Sequence, residues 1–291
     1  MIEPVSPRQS DIIALAKRDG RVAVDLLAAQ FEVTPQTIRK DLNELCERRL
    51  LQRVHGGAVY PSSVTNFAYD SRRMLAAEEK RRIGLSTAAL IPDNTSLILN
   101  IGTTTEQVAA ALRRHRGIMV ITNNLNAAHI LREAPAVEVV IAGGVVRRSD
   151  GGVVGEATVD FVRQFRVDYA VVGVSAIDEA GELLDYDYRE VRVAQEIIRH
   201  ARETILVADS MKFERRAPVR IAHLSEVDIF VTDRPPPAGL AAICAESNVR
   251  LVIADSDQAR AGGGDEDGDG DEDGAGGGRA SDPLQDATGP A

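Results

Sequence analysis

Two cysteines, Cys46 and Cys244, are all that the 291 residues contain. That excludes a disulfide framework and a cysteine-based zinc site, and leaves two free thiols expected in a reducing compartment. No apolar run approaches the roughly 18–20 residues of a membrane-spanning helix. Glu3, Arg8 and Asp11 interrupt the apolar stretch that a signal peptide needs, so the expected location is the cytoplasm. His115, His129, His200 and His223 lack metal-ligand spacing, and no Gly-Lys-Ser/Thr follows a glycine-rich turn as a Walker loop requires. A basic excess is also missing, the formal charge being −10. From position 255 to the end there are eleven acids and two arginines, however, so residues 1–254 carry only about −1. The acidity describes a tail and does not exclude a nucleic-acid-binding body.

That tail, residues 255–291, has almost no apolar content and reads as a disordered extension. Its Asp269–Gly274 string mimics the start of a calcium loop, but the twelfth position is Ala280 and no helices flank it, so no metal is expected. The remaining chain divides in three. Residues 1–60 read as helical with a small terminal wing, residues 61–77 as a polar linker, and residues 78–254 as alternating helices and short apolar strands. The expected strands lie at 96–101, 119–122, 137–142, 169–174, 204–208, 229–232 and 250–253, with amphipathic helices such as 106–112 and 190–201 between them. Buried β-branched strands alternating with helices predict a mainly parallel α/β sheet.

In the first segment Ser6-Pro7 offers a cap and first-turn proline for a helix that Asp19-Gly20 ends. Val24, Leu27, Ala28 and Phe31 give the stripe of a second short helix, and Thr34-Pro35 caps a third. Residues 50–54 and 58–60 flank His55-Gly56-Gly57 as a two-stranded wing. The order is that of a winged helix-turn-helix. At about 100° per residue Ile38, Leu42 and Leu45 share one face of the third helix. Gln36, Lys40 and Asn43 project opposite, with Thr37 and Arg39 on the flanks. These side chains pair with base edges or hold phosphates. A solvated polar face is the plainer account of any isolated helix, and the cap and the wing residues Arg53 and His55 are what weigh against it. The local net charge of +2 over residues 34–54 is modest, so a dimer on paired half-sites is expected.

In the last segment Asn100 to Glu106 runs from a strand into a helix. Gly102 allows close backbone approach, Thr103 and Glu106 have capping-box spacing, and free amides beside three hydroxyls make a phosphate cradle. From spacing alone, a capped helix start with no ligand is the simpler reading. Lys212 follows another strand and could place a point charge on a phosphate, or could equally be a solvated loop lysine.

The string PQTIRKDLNELCERRLLQRVHGGAV (residues 35–59) resembles the winged helix-turn-helix of the DeoR family. The resemblance continues through IGTTTEQVAAAL, ITNNLNAA, IAGG, DGGVVGEATVDFVRQFRVDYAVVGVSAID and DYDYREVR, spanning roughly residues 5–254. It implies DNA contacts from Thr34, Gln36, Thr37, Arg39, Lys40, Asn43, Arg53 and His55. It also implies a sensor similar to ribose-5-phosphate isomerase and related phosphosugar enzymes. There Gly102, Thr103, Thr104 and Thr105 would bind phosphate, with Asn123, Asp168, Glu190 and Lys212 around the rest of the effector. Three residues depart from the family's pattern. Lys40 stands for a second arginine and lacks its bidentate fork, Asn100 stands for Asp, and Met211 stands for the Ser before Lys212.

The expectation is a repressor, without cofactor or catalytic residue, that leaves a DNA operator when a small phosphorylated metabolite binds, sn-glycerol 3-phosphate being the first to test. The expected assembly is a homo-oligomer. An activator of the same architecture is one alternative. The other is an isomerase using Asp168, Glu190 and Lys212, if they converge.

Overall fold

The computed structural model describes residues 5–48, 50–54, 56–60, 66 and 69–254. The readings of His55 as a DNA contact and of residues 255–291 as a disordered tail lie outside the described residues. Helix α1 (Pro7–Asp19) begins as its sequence predicts. The Ser6 hydroxyl accepts from the Gln9 amide, and the Gln9 side chain accepts from the Ser6 amide, both at 3.2 Å. Gly20, at φ 76°, ends it. Strand β1 (Arg21–Ala23) and helix α2 (Val24–Gln30) follow, then α3 (Pro35–Glu47), whose first turn is capped by the Thr34 hydroxyl accepting from the Thr37 amide at 3.3 Å. Ile12, Ala16, Leu27, Ile38, Leu42, Leu45 and Leu51 close the small core between these helices.

The wing differs from the expected two strands. β2 (Gln52–Val54) and β3 (Gly57–Val59) form the hairpin, but β1 pairs antiparallel with β3 and makes a third strand. Gly57 allows the contact, because a Cβ there would lie 2.0 Å from the Val22 carbonyl oxygen. β1 has three residues, too few for an alternating pattern to register in the sequence.

Within the stretch read as a linker, α4 (Tyr69–Met74) is helical, and α5 (Ala77–Ala88) begins at its end. The sensor then runs β4 (Ser96–Leu99), α6 (Thr103–Leu112), β5 (Ile118–Thr122), α7 (Leu125–Leu131) and β6 (Val137–Ile141). A short hairpin, β7 (Val145–Val146) and β8 (Val153–Val154), precedes α8 (Glu156–Val162) and β9 (Val167–Gly173). After β10 (Ala176–Ile177), β11 (Glu182–Asp185) and α9 (Tyr188–Arg199) come β12 (Ala201–Val207), β13 (Val219–His223), β14 (Ile229–Thr232), α10 (Ala238–Glu246) and β15 (Arg250–Ile253).

All seven expected strands belong to one parallel sheet in the order β15-β14-β12-β9-β4-β5-β6. The apolar runs of the five inner strands are buried on both faces. Ile98, Ile121, Val172, Leu206 and Phe230 pack on one side, and Leu97, Leu99, Val120, Val171 and Val231 on the other. The order reverses at β4 and β9, and the loops after their C-terminal ends border a crevice of the kind in which open α/β sheets bind ligands. The antiparallel sheet β10-β11-β13 was not expected; its strands are short and alternate with charged residues. Val54 and Val59 of the wing pack against Leu75 and Met211 of the sensor.

Candidate DNA-reading face and effector pocket

On α3, Ile38, Leu42 and Leu45 are completely buried, whereas Gln36, Arg39, Lys40 and Asn43 are exposed and Thr37 is half-buried. Helix geometry thus turns the sequence's long donors and amide outward together. Of the acids of the same helix, Asp41 is drawn inward, while Glu44 is half-buried and Glu47 exposed. Asp41 is buried and accepts from Arg8 at 2.6 Å and from Gln9 at 3.3 Å, and Glu44 accepts from Gln9 at 2.7 Å. Arg53 is exposed on β2, and Thr34 is exposed at the cap. The expected reading residues other than His55 are thus exposed or half-buried.

The second site lies at the C-terminal ends of β4 and β9. Gly102 sits at φ 152°, in the region that favours glycine, and a Cβ would come 3.3 Å from the Thr105 hydroxyl. No side chain caps α6, so its first-turn amides are left for another acceptor. The expected capping box between Thr103 and Glu106 does not form. The buried Glu106 carboxylate instead accepts from Tyr69 at 2.8 Å, Asn126 at 3.1 Å and Asn124 at 3.4 Å. Gly102, Thr103 and Thr104 line a tight cradle with Ser175, Asp185, Glu190, Lys212 and Arg72.

Lys212 is carried on a short 3-10 turn, Ser210–Glu214, whose first residue follows the Asp209 cap. It is buried, and that burial, with Arg215, Lys80 and Arg72 adding to it against the pull of Asp209, lowers its ammonium to about 7. Glu190 is buried as well. Burial and then Asp185 push its carboxyl above the usual range, while Arg147, 2.6 Å away, pulls the other way. Beside the cradle, and sharing Arg72, Asp185 and Glu190 with it, opens a cleft of about 380 Å³. Its wall is organised by Arg147, which also reaches Asp150 at 2.7 Å and Asp187 at 3.2 Å. Burial works against the Asp150 charge, but hydrogen bonds and charge from Arg147 and Arg72 hold it below the usual range.

Three residues assigned to the effector by resemblance have partners within the fold. The Thr105 hydroxyl turns back onto the carbonyls of Asn100 and Gly102, each at 2.8 Å, and braces the loop. Asn123 is buried and donates to the Val153 carbonyl at 3.1 Å, tying β5 to β8. Asp168 lies at the start of β9, at the opposite edge of the sheet, where it accepts from the Ser96 amide at 3.0 Å and hydroxyl at 2.8 Å. It cannot converge with Glu190 and Lys212, and the trio proposed for isomerisation is not assembled. Asp185 lines the cradle beside Glu190. Met211 packs against the wing rather than toward the cradle, so the change from serine alters an inter-domain contact.

Sequence reading missed Arg72, Arg147, Asp150 and Asp185 as pocket residues. The DYDYREVR string held a signal for Asp185, since it follows a short strand and precedes a helix; Arg72 had none, its segment lacking any period.

Comparison with known proteins then gives the lineage. Residues 8–64 match the DeoR-like helix-turn-helix domain, and residues 75–234 match the DeoR C terminal sensor domain. The chain belongs to the DeoR family. Among its DeoR-type relatives is the glycerol-3-phosphate regulon repressor of Escherichia coli (strain K12), 44% identical over 244 residues, a match covering 84% of this chain and 97% of that protein. The glycerol-3-phosphate regulon repressor of Haemophilus influenzae is 46% identical over 250 residues, covering 86% and 97%. Both relatives are repressors. A solved ribose-5-phosphate isomerase in complex with phospho-erythronic acid is 18% identical with a TM-score of 0.36, covering 47% of this chain and 54% of that one. A likeness that partial adds nothing about the DeoR-type pocket. No helix among the described residues is long and apolar enough to cross a membrane.

Proposed function

We propose that this protein represses a carbohydrate or glycerol catabolic operon and leaves its operator when a small phosphorylated metabolite occupies the sensor, with sn-glycerol 3-phosphate as the first candidate. The observation that carries this reading is the cradle itself. Uncapped amides and the Thr103 and Thr104 hydroxyls sit beside a buried lysine, in a chain whose α3 presents Gln36, Arg39, Lys40 and Asn43 to solvent. An anion at such a helix start gains hydrogen bonds and a favourable dipole, and Lys212 supplies the charge that a neutral sugar does not need. The DNA contacts are assigned to Thr34, Gln36, Thr37, Arg39, Lys40, Asn43 and Arg53. The effector contacts are assigned to Gly102, Thr103, Thr104, Asp185, Glu190 and Lys212. With so few cations on each reading face, a homo-oligomer spanning paired half-sites in the cytoplasm is the form that binds tightly.

The test is a titration of the protein onto an operator fragment that it has itself selected from genomic DNA. Addition of sn-glycerol 3-phosphate, or of another phosphorylated triose or hexose, should weaken binding about 5–150-fold, the range of ordinary allosteric coupling. Glycerol without phosphate should not. Unchanged operator affinity with every phosphorylated compound would contradict the proposal.

A further inference from the structure

Arg72 belongs to α4, in the stretch that joins the reader to the sensor, yet it lines both the cradle and the adjoining cleft. Its side chain is 14% exposed and donates to Asp150 at 3.0 Å. The Arg72 Nε is fully enclosed and has no hydrogen-bond partner. A buried unmet donor on a cation is costly, and a tetrahedral anion in the cradle would supply the missing acceptor. Arg72 and Lys212 are the two cations that line the cradle, across from the acids Asp185 and Glu190.

α4 is also pinned at this place. Lys80, itself buried, donates to the carbonyl of Leu75 at 2.6 Å and to that of Arg72, satisfying the end of the helix. Tyr69 donates to Glu106, so α4 is tied to α6 at its other end. Leu75, one residue beyond the helix, packs against Val54 and Val59 of the wing.

We propose that Arg72 is an effector-binding residue carried by the linker, reaching the phosphate of the bound metabolite with its guanidinium and giving up Asp150 to do so. The proposal rests on the phosphorylated effector suggested above and adds a ligand from outside the sensor sheet. Phosphate capture then repositions α4, and Leu75 carries that change to the wing. Sugar hydroxyls cannot replace the anion here, so Arg72 selects for the phosphorylated form.

The test uses the full chain, with affinity for sn-glycerol 3-phosphate, fructose 1-phosphate and inorganic phosphate measured by calorimetry. Arg72→Gln should lose at least about tenfold for the compound that wild type binds, the size expected from one charge-assisted contact. Arg72→Lys, which keeps the charge without the fork, should fall between the two and serves if the glutamine variant does not fold. Equal ligand affinity in wild type and both variants overturns the role of Arg72 and leaves the pocket standing. If wild type binds none of the phosphorylated compounds, the effector reading falls, and this proposal with it.

Discussion

Replacing Lys212 by methionine separates what the cation costs the empty fold from what it gives to a ligand. The side chain is buried, and its ammonium falls to about 7 from 10.5, first through burial and then through Arg215. The sign follows from proton counting. Below pH 7 the folded and unfolded chains both carry the proton, and the folded chain bears the whole penalty. Between about 7 and 10.5 only the unfolded chain binds it, so stability rises with pH across that window. A depression of this size corresponds to on the order of 3–5 kcal/mol at or below neutral pH. Methionine fills a similar volume without a charge. Urea unfolding at neutral pH should therefore find Lys212→Met more stable than wild type by a few kcal/mol, the gap closing as the buffer becomes alkaline. Saturating sn-glycerol 3-phosphate should narrow the gap at neutral pH. At one hundred times its dissociation constant a ligand stabilises wild type by about 2.7 kcal/mol, and the variant should gain little. A variant less stable than wild type at neutral pH, or a gap that does not change with pH, would refute the reasoning.

Other changes test other parts of the account. Arg39→Ala should abolish preference for the operator over unrelated duplex in a competition assay, while ligand affinity stays at the wild-type value. Asp168→Asn should leave effector affinity unchanged, because Asp168 stands at the far edge of the sheet; a tenfold loss by calorimetry would return it to the pocket. Thr104→Val, which removes a hydroxyl from the cradle, should weaken the phosphorylated ligand several-fold without altering operator binding in its absence. Leu42→Ala on the buried face of α3 should cost about 2–5 kcal/mol in chemical denaturation, and DNA binding should fall with the folded fraction.

Much of this was legible in the amino-acid order because it depends on local rules. Ser6-Pro7 and Thr34-Pro35 mark helix starts through caps that form as written, and the seven parallel strands announce themselves as apolar β-branched runs. The rest depends on distant partners. β1 is a strand because Gly57 lets it approach, and α4 is a helix whose anchors, Glu106, Asp150 and Lys80, are spread along the sensor. Glu106 has the spacing of a capping box, but Tyr69, Asn124 and Asn126 take its carboxylate. Asp168 was the avoidable miss, since a residue at the start of a strand cannot lie at the end where a parallel sheet binds ligands.

Linkage offers the most direct measurement. The affinity of the phosphorylated effector should be determined by calorimetry on the free protein and on the protein saturated with operator duplex. The account predicts tighter binding to the free protein, by the same factor with which the effector weakens the operator. Equal effector affinities in the two states would show that the cradle and α3 do not communicate, and would contradict it.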